Sequence, residues 1–141
     1  MSDTKTESVH WSFWAICIVM FIWNALGAIN FIVQMNPDMI ESYRETERAI
    51  IVGRPNWATV GFALAVFGGT AGCGLLLLRK SIALYIFVIS LVGVIVTIGY
   101  ALSIDINFGF GEIIGIILMP LIVAVFLVWY SSWNKAKGWI T

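Results

Sequence analysis

The sequence predicts an all-α integral membrane protein with four transmembrane helices, both termini in the cytoplasm, and a short amphipathic helix in the first external loop. Composition gives the first reason: 60% of the 141 residues are hydrophobic and 11% are charged, whereas soluble domains carry about 25% charged residues. The second reason is the presence of four apolar runs, each close to the roughly 20 residues with which a helix crosses the hydrocarbon core. These runs lack the alternation that a membrane barrel needs, so helices are expected.

The chain is predicted to form one domain, residues 1–141, because its length suits a single bundle. The spans are expected at about 11–33, 57–78, 82–104 and 113–133. The segment before the first span is polar, and no small-residue cleavage site follows a short apolar region. This span is therefore expected to be retained rather than removed as a signal peptide. Pro120 is expected to bend the fourth helix, because its ring clashes with the preceding turn.

The distribution of Lys and Arg predicts the orientation of the bundle. The positive residues on the side of the termini are Lys5, Arg79, Lys80, Lys135 and Lys137. The opposite side carries Arg44, Arg48 and Arg54, which are interspersed with acidic residues. Because cytoplasmic loops carry the excess of positive charge, both termini are assigned to the cytoplasm.

Residues 37–52, in the first external loop, are predicted to form the short amphipathic helix. Asn36 is a suitable N-cap, and Pro37 suits the first helical position. Gly53 and Pro55 fit the end of the helix. Two roles remain open for this element at the membrane surface: packing on its own bundle, or binding a partner or gating a path.

A polar seam follows one face of the first span and continues on the third. Asn24, Asn30 and Gln34 fall within an arc of about 120° on the first helix. An asparagine in hydrocarbon is costly without a hydrogen-bond partner, so this face is expected to point into the bundle or at a partner subunit. Thr97 and Tyr100 are the expected partners of Asn30, because they lie toward the same membrane surface. The seam either holds the helices together or lines a solute path.

The second span carries small residues on two faces. Gly61, Ala65 and Gly69 form a stripe at i,i+4 spacing with Gly68 and Gly72 beside it, and Thr70 and Gly74 lie on the opposite side. Small residues let helix backbones approach closely, so they predict tight helix packing. Because two small faces exceed what one close neighbour needs, the pattern predicts a homo-oligomer or a larger membrane complex.

Two acidic residues, Asp105 and Glu112, flank the connection between the third and fourth spans and are candidates for an external mouth. Glu112 stands at the start of a helix, where the helix dipole stabilises negative charge. Alternatively, the two carboxylates form a site that favours cations at the mouth. No acid, Lys or Arg lies at the centre of a span, which disfavours a proton relay or an ion pump.

The remaining side chains predict no catalytic or metal centre. The net charge is zero, so no basic surface calls for a nucleic-acid partner. Cys17 and Cys73 lie far apart in apolar runs, and His10 has no neighbouring ligand at zinc spacing, so neither disulfides nor a metal site are expected. No nucleophile lies beside a base at one depth. We therefore expect a protein that is not an enzyme and needs no cofactor.

Several short strings of residues carry a resemblance to a known group of proteins. They are His-Trp-Ser-Phe-Trp at 10–14, Trp-Asn at 23–24, Gln-Met-Asn-Pro at 34–37, Gly-Arg-Pro-Asn-Trp-Ala at 53–58 and Arg-Lys-Ser at 79–81. The chain resembles, over most of its length, small four-helix bacterial membrane proteins that are often labelled "sugar transporter". The resemblance implies four helices and a place in the bacterial inner membrane, and it implies no particular binding residues.

Two functions are therefore expected of a chain whose main environment is the lipid bilayer. The first is a passive, oligomeric channel-like or facilitator protein for small solutes or cations, with the polar seam along its path. The alternative is a small accessory or structural subunit of a membrane protein complex, without transport activity of its own. A closed ring with polar residues facing its axis would favour the first.

Overall fold

The computed structural model describes residues 9–104 and 109–141, except for the side chain of Thr46. The described part of the chain is helical and contains no strand. Its helices are α1 (Trp11–Gln34), α2 (Pro37–Ile40), α3 (Glu45–Val52), α4 (Asn56–Leu77), α5 (Ala83–Ser103), α6 (Phe110–Ile113) and α7 (Met119–Ala136), with a π-helix at Ile114–Leu118 between α6 and α7.

Four helical stretches are long and apolar enough to cross a membrane. They are α1, α4, α5 and the stretch Phe110–Ala136, which joins α6, the π-helix and α7 and is called the fourth span below. The prediction of four long, apolar helices is confirmed, and their ends lie within about one helical turn of the predicted ends. This architecture fits a multi-pass membrane protein.

The spans pack in chain order: α1 contacts α4, α4 contacts α5, and α5 contacts α7. The last residues fold back onto the turn between α4 and α5. There the Thr141 N–H donates to the Arg79 carbonyl at 3.0 Å, and the Ser81 N–H donates to the Thr141 carbonyl at 3.2 Å. The Phe13 ring on α1 lies 6.0 Å from a ring of Trp139, so the start of α1 is at the same end. We call this the termini end, and the opposite end, which carries α2 and α3, the loop end.

The small residues of α4 bring it into close contact with both neighbouring helices. A Cβ atom at Gly61 would lie 2.5 Å from Val96 Cγ1 on α5. On the other face, a Cβ atom at Gly69 would lie 2.0 Å from the side-chain oxygen of Asn24 on α1. The small-residue stripe thus contacts two helices of its own chain. These contacts do not by themselves call for a second copy, and the homo-oligomer or larger complex stays a prediction.

The two glycines of α4 that lie beside the stripe, Gly68 and Gly72, face α5. A Cβ atom at Gly68 would lie 3.2 Å from Ser90 Cβ, and one at Gly72 would lie 2.6 Å from the Phe87 ring. The Ser90 hydroxyl donates to the Ala65 carbonyl at 2.7 Å, which ties the two backbones together. Close approach of this kind is what small residues at helix interfaces permit.

A dense apolar cluster closes the termini end of the bundle. Its buried members are Phe13, Cys17, Cys73, Leu76, Ala83, Phe87, Leu127, Tyr130 and Ile140. The rings of Phe13 and Tyr130 stack with centroids 6.4 Å apart, so the first and last spans meet here. Both cysteines are buried in this cluster as free thiols.

The first loop departs from the predicted helix at 37–52, because α2 and α3 are separate. Asn36 caps α2 as predicted: its side-chain oxygen accepts from the Asp38 N–H at 3.0 Å. The helix stops after one turn, where the Ser42 hydroxyl donates to the Met39 carbonyl at 2.6 Å. Arg44 is extended, with ψ at 159°, and α3 begins after it.

The fourth span contains the π-helix directly before Pro120. The Met119 N–H donates to the Ile114 carbonyl, five residues back, which defines the wide turn. Pro120 has no N–H to continue the ladder, so the chain widens where a regular helix would lose a bond. The structure thus gives the irregularity at Pro120 a specific form that sequence reasoning did not specify.

Candidate functional site

A cavity of about 450 Å³ lies between the four spans. Each span contributes to its wall, and α3 covers it at the loop end through Glu47, Ile50 and Ile51. Phe87 and Leu127, from the cluster that closes the termini end, also line it. Its volume falls in the range of about 300–1,000 Å³ that is typical of small-molecule sites.

The polar residues singled out in the sequence all line this cavity. They are Asn24, Asn30, Gln34, Thr97 and Tyr100. The helical periodicity of the first span therefore brings its polar face to an internal space that the third span shares. Contact with this space is shown by the geometry, and the use of these residues in transport stays a prediction.

In the deeper part of the cavity, the polar side chains are bonded to the protein itself. The Asn24 amide nitrogen donates to the Met20 carbonyl at 2.8 Å and reaches Cys73 Sγ at 3.7 Å. The Thr97 hydroxyl donates to the Gly93 carbonyl at 2.9 Å. Since these donors, like that of Ser90, are already engaged, the side chains offer a ligand acceptor oxygens but few donors. The neighbouring wall is apolar and consists of Val66, Val94, Val123, Ala124 and Leu127.

At the loop end, side chains from the first loop bond to the polar face of α1. The Tyr43 hydroxyl donates to the Asn30 side-chain oxygen. The Arg54 guanidinium donates through Nη2 to Gln34 Oε1 at 2.8 Å. The prediction that Thr97 or Tyr100 would bond Asn30 is therefore wrong. Tyr43 bonds to Asn30, whereas the hydroxyls of Thr97 and Tyr100 donate to backbone carbonyls.

Tyr100 instead anchors α3 to the bundle. Its hydroxyl donates to the Ile50 carbonyl at 2.9 Å. Its ring packs edge-on against Trp57 with centroids 5.9 Å apart. With the Tyr43–Asn30 and Arg54–Gln34 bonds, this contact fixes the first loop over the cavity at three points.

The charged residues on the cavity wall are Glu47 and Arg54, and sequence reasoning missed both. Half-burial lowers the pKa of the Arg54 guanidinium, and the nearby hydroxyls of Tyr100 and Tyr43 oppose this. Burial raises the pKa of Tyr43, and so does the charge of Glu47, while the neighbouring Gln34 side chain and the charge of Arg54 lower it. The positions of Gln34 and Arg54 in the sequence would have indicated their contact, because they stand at the two ends of one loop and so lie at the same level of the bundle.

The predicted mouth is not confirmed as part of this cavity. Glu112 is absent from its wall and lies in the first turn of α6, where its carboxylate accepts from the Gly109 N–H at 3.0 Å. This geometry matches the helix-start explanation of Glu112. Asp105 lies outside the described residues.

The cavity is accessible from the loop-end half of the bundle, on the side between α1 and the fourth span. The exposed residues of its wall are Trp23, Leu26 and Asn30 on α1 and Gly115 on the fourth span. Towards the termini end, α1 and α7 meet through Phe13 and Tyr130. The described residues thus form a chamber that α3 covers at the loop end, that is exposed laterally in that half of the bundle, and that packed side chains close at the termini end.

Among the described residues, no three His, Cys, Asp or Glu side chains are grouped closely enough to hold a metal ion. The chemistry of the site therefore lies in its amides, its hydroxyls, one guanidinium and an apolar wall. Comparison of the chain with protein-family models, with curated proteins and with solved structures gives no match, so the function is argued from this cavity.

Proposed function

We propose that the chain is a passive facilitator of the bacterial inner membrane, with both termini in the cytoplasm, which carries a small solute through the central cavity as a homo-oligomer. The observation that carries the proposal is a chamber lined by all four spans, accessible towards the loop end and closed towards the termini end. A facilitator alternates between a state that is open towards one side of the membrane and a state that is open towards the other, and the described chamber corresponds to the first of these. The π-helix before Pro120 contributes Gly115 and Ile116 to the wall and supplies a place where the fourth span changes shape.

The proposal does not retain a preference for cations. That expectation rested on Asp105 and Glu112 at the mouth, and Glu112 is not on the cavity wall. Arg54 places a positive charge there instead. The positive-inside distribution of Lys and Arg supports the orientation, with the loop end facing outwards.

A cavity-filling variant tests the proposal in liposomes. Gly115 lines the cavity, and a Cβ atom there would meet no atom within 4 Å, so Gly115→Leu adds bulk to the wall without a clash at its first side-chain atom. Gly111→Leu is the matched control, because Gly111 has the same free space and does not line the cavity. The rate at which liposomes take up a small solute should fall severalfold with Gly115→Leu and stay unchanged with Gly111→Leu. Equal rates in both variants and the native protein would contradict a path through the cavity.

The second candidate is an accessory or structural subunit of a membrane complex. The exposed apolar surface of α1 favours it, since Trp23, Leu26 and Ile29 are 42%, 59% and 55% exposed and could meet another membrane protein as well as lipid. Liposomes that remain tight to small solutes, amphiphiles and ions alike would select this candidate.

A further inference from the structure

Arg54 carries a positive charge at the cavity mouth that no nearby carboxylate neutralises. No Asp or Glu of the described residues forms an ion pair with it, and the closest charged neighbour on the wall, Glu47, accepts from Arg44 Nε at 3.1 Å. The Arg54 guanidinium is half-buried, donates one hydrogen bond to Gln34, and lies 4.8 Å from the centroid of the Phe62 ring. A guanidinium has five N–H donors in a planar fork, so most of its donors remain for an anionic group.

The wall beneath Arg54 suits an apolar body. The hydroxyls of Ser90 and Thr97 donate to backbone carbonyls, and the amide nitrogen of Asn24 is likewise engaged. A sugar placed at this depth would find acceptor oxygens but few donors, so several of its own oxygens would accept no hydrogen bond, at a cost of about 1–3 kcal/mol for each buried group. An alkyl chain along Val94 and Leu127 meets no such penalty.

The position of the opening fits entry from the bilayer. Asn30 and Gly115 flank it on α1 and the fourth span, and both spans are long and apolar enough to face lipid. Arg54 stands two residues before the start of α4, where a spanning helix emerges at the membrane surface. An amphiphile in the adjacent leaflet would have its head group at this level and its chain below it.

We infer that the cavity binds an amphiphile with one anionic head, held by Arg54, and one acyl or alkyl chain, held by the apolar wall. The inference rests on the proposed facilitator function for its physiological meaning, whereas binding is measured without transport. Two sources share this chemistry: a free fatty acid, and an anionic phospholipid that inserts one chain.

Binding of radiolabelled decanesulfonate to the full chain in phosphatidylcholine nanodiscs tests the inference, with empty nanodiscs as the background. This probe keeps its charge at all working pH values, and its matched comparisons are decanol and decyltrimethylammonium. We expect decanesulfonate to bind about tenfold or more tightly than either, as a charge-assisted contact predicts. Equal or weaker binding of decanesulfonate would overturn the inference.

Variants assign the effect to Arg54. Arg54→Gln should lose about tenfold in decanesulfonate affinity and leave decanol binding unchanged. Arg48→Gln is the control, because Arg48 lies on α3 away from the cavity wall. An equal effect of both variants would contradict the inference. If Arg54→Gln does not fold, Gly115→Leu replaces it and should weaken binding of decanesulfonate and decanol alike.

Two further measurements separate the sources and the functions. In phosphatidylglycerol nanodiscs, the uncharged decanol is the probe, because an anionic bilayer itself repels decanesulfonate. Decanol binding that falls relative to phosphatidylcholine nanodiscs would identify a phospholipid as the competing ligand, and unchanged binding would favour a free fatty acid. Binding without movement of decanesulfonate across liposomes would refute the facilitator and keep the inference. Glucose uptake that decanesulfonate does not inhibit would refute the inference and keep the facilitator.

Discussion

Arg54 is the residue on which the loop end of the cavity depends. Its bond to Gln34 joins the two ends of the first loop, and a hydrogen bond to a charged group contributes about 1.5–3 kcal/mol. Half-burial lowers its pKa, but an arginine stays protonated in proteins, so the positive charge persists at physiological pH. The cavity therefore combines a permanent cation with an apolar interior.

Glu112 provides a test of where the mouth lies. Because its side chain caps Gly109 and does not line the cavity, Glu112→Gln should leave solute uptake and thermal stability nearly unchanged. Glutamine at this position also accepts from the backbone at a helix start. Uptake and charge preference in liposomes are the measurements. A changed preference between cations and anions would restore Glu112 to the mouth.

At the scale of single residues, the sequence predicted which residues of α1 share a face, because the period of the helix determines which side chains point in the same direction. It did not predict their partners. Asn30 bonds to Tyr43 and Gln34 to Arg54, and both partners come from a loop whose path has no periodicity. Asn24 turns its amide towards Met20 and its oxygen towards Gly69, a choice that depends on the absence of a Cβ atom on the neighbouring helix.

Among the elements, the α4–α5 contact is the most extensive in the bundle. Gly93 on α5 lies against the α4 backbone: a Cβ atom there would be 2.5 Å from the Gly61 carbonyl oxygen and 2.7 Å from the Ala65 nitrogen. Backbone atoms cannot rotate away as a side-chain end can. The interface therefore has no room for a methyl group at this point.

Gly93→Ala should thus destabilise the protein by about 1–3 kcal/mol, the usual cost of overpacking. Gly99→Ala, on the same helix, is the matched control, because a Cβ atom there would meet nothing within 4 Å. Thermal unfolding in mild detergent measures both. A loss of stability in Gly99→Ala as large as that in Gly93→Ala would show that the close contact is not the cause.

The four spans were predictable because length and apolar composition determine them. The break before Arg44 and the π-helix before Pro120 were not, although Ser42 and Pro120 mark the places. Each is a local rearrangement of backbone hydrogen bonds that several sequences tolerate equally. The oligomeric state was inferred from α4, whose small-residue stripe contacts α1 and α5, and it stays a prediction.

At the scale of the whole molecule, the four spans enclose a chamber that is reached from the loop-end half and is closed at the termini end. Val123 and Ile122 are neighbours on α7 that lie in two different environments, the cavity and the outer surface of the bundle. Val123 lines the cavity, whereas Ile122 is 57% exposed on the outer surface of the bundle and does not line it. The native Cys17 and Cys73 are both fully buried and give little background to a thiol reagent.

The most direct measurement is the reaction of single cysteines with a membrane-impermeant methanethiosulfonate in sealed vesicles of known orientation. Ser42→Cys, on the exposed first loop, reports the side of the loop end. Val123→Cys should react from that same side, should be protected by decanesulfonate, and should react more slowly from the other side, while Ile122→Cys should remain unmodified. A Val123→Cys that is inert from both sides, or that reacts only from the side opposite Ser42→Cys, would contradict a cavity open at the loop end.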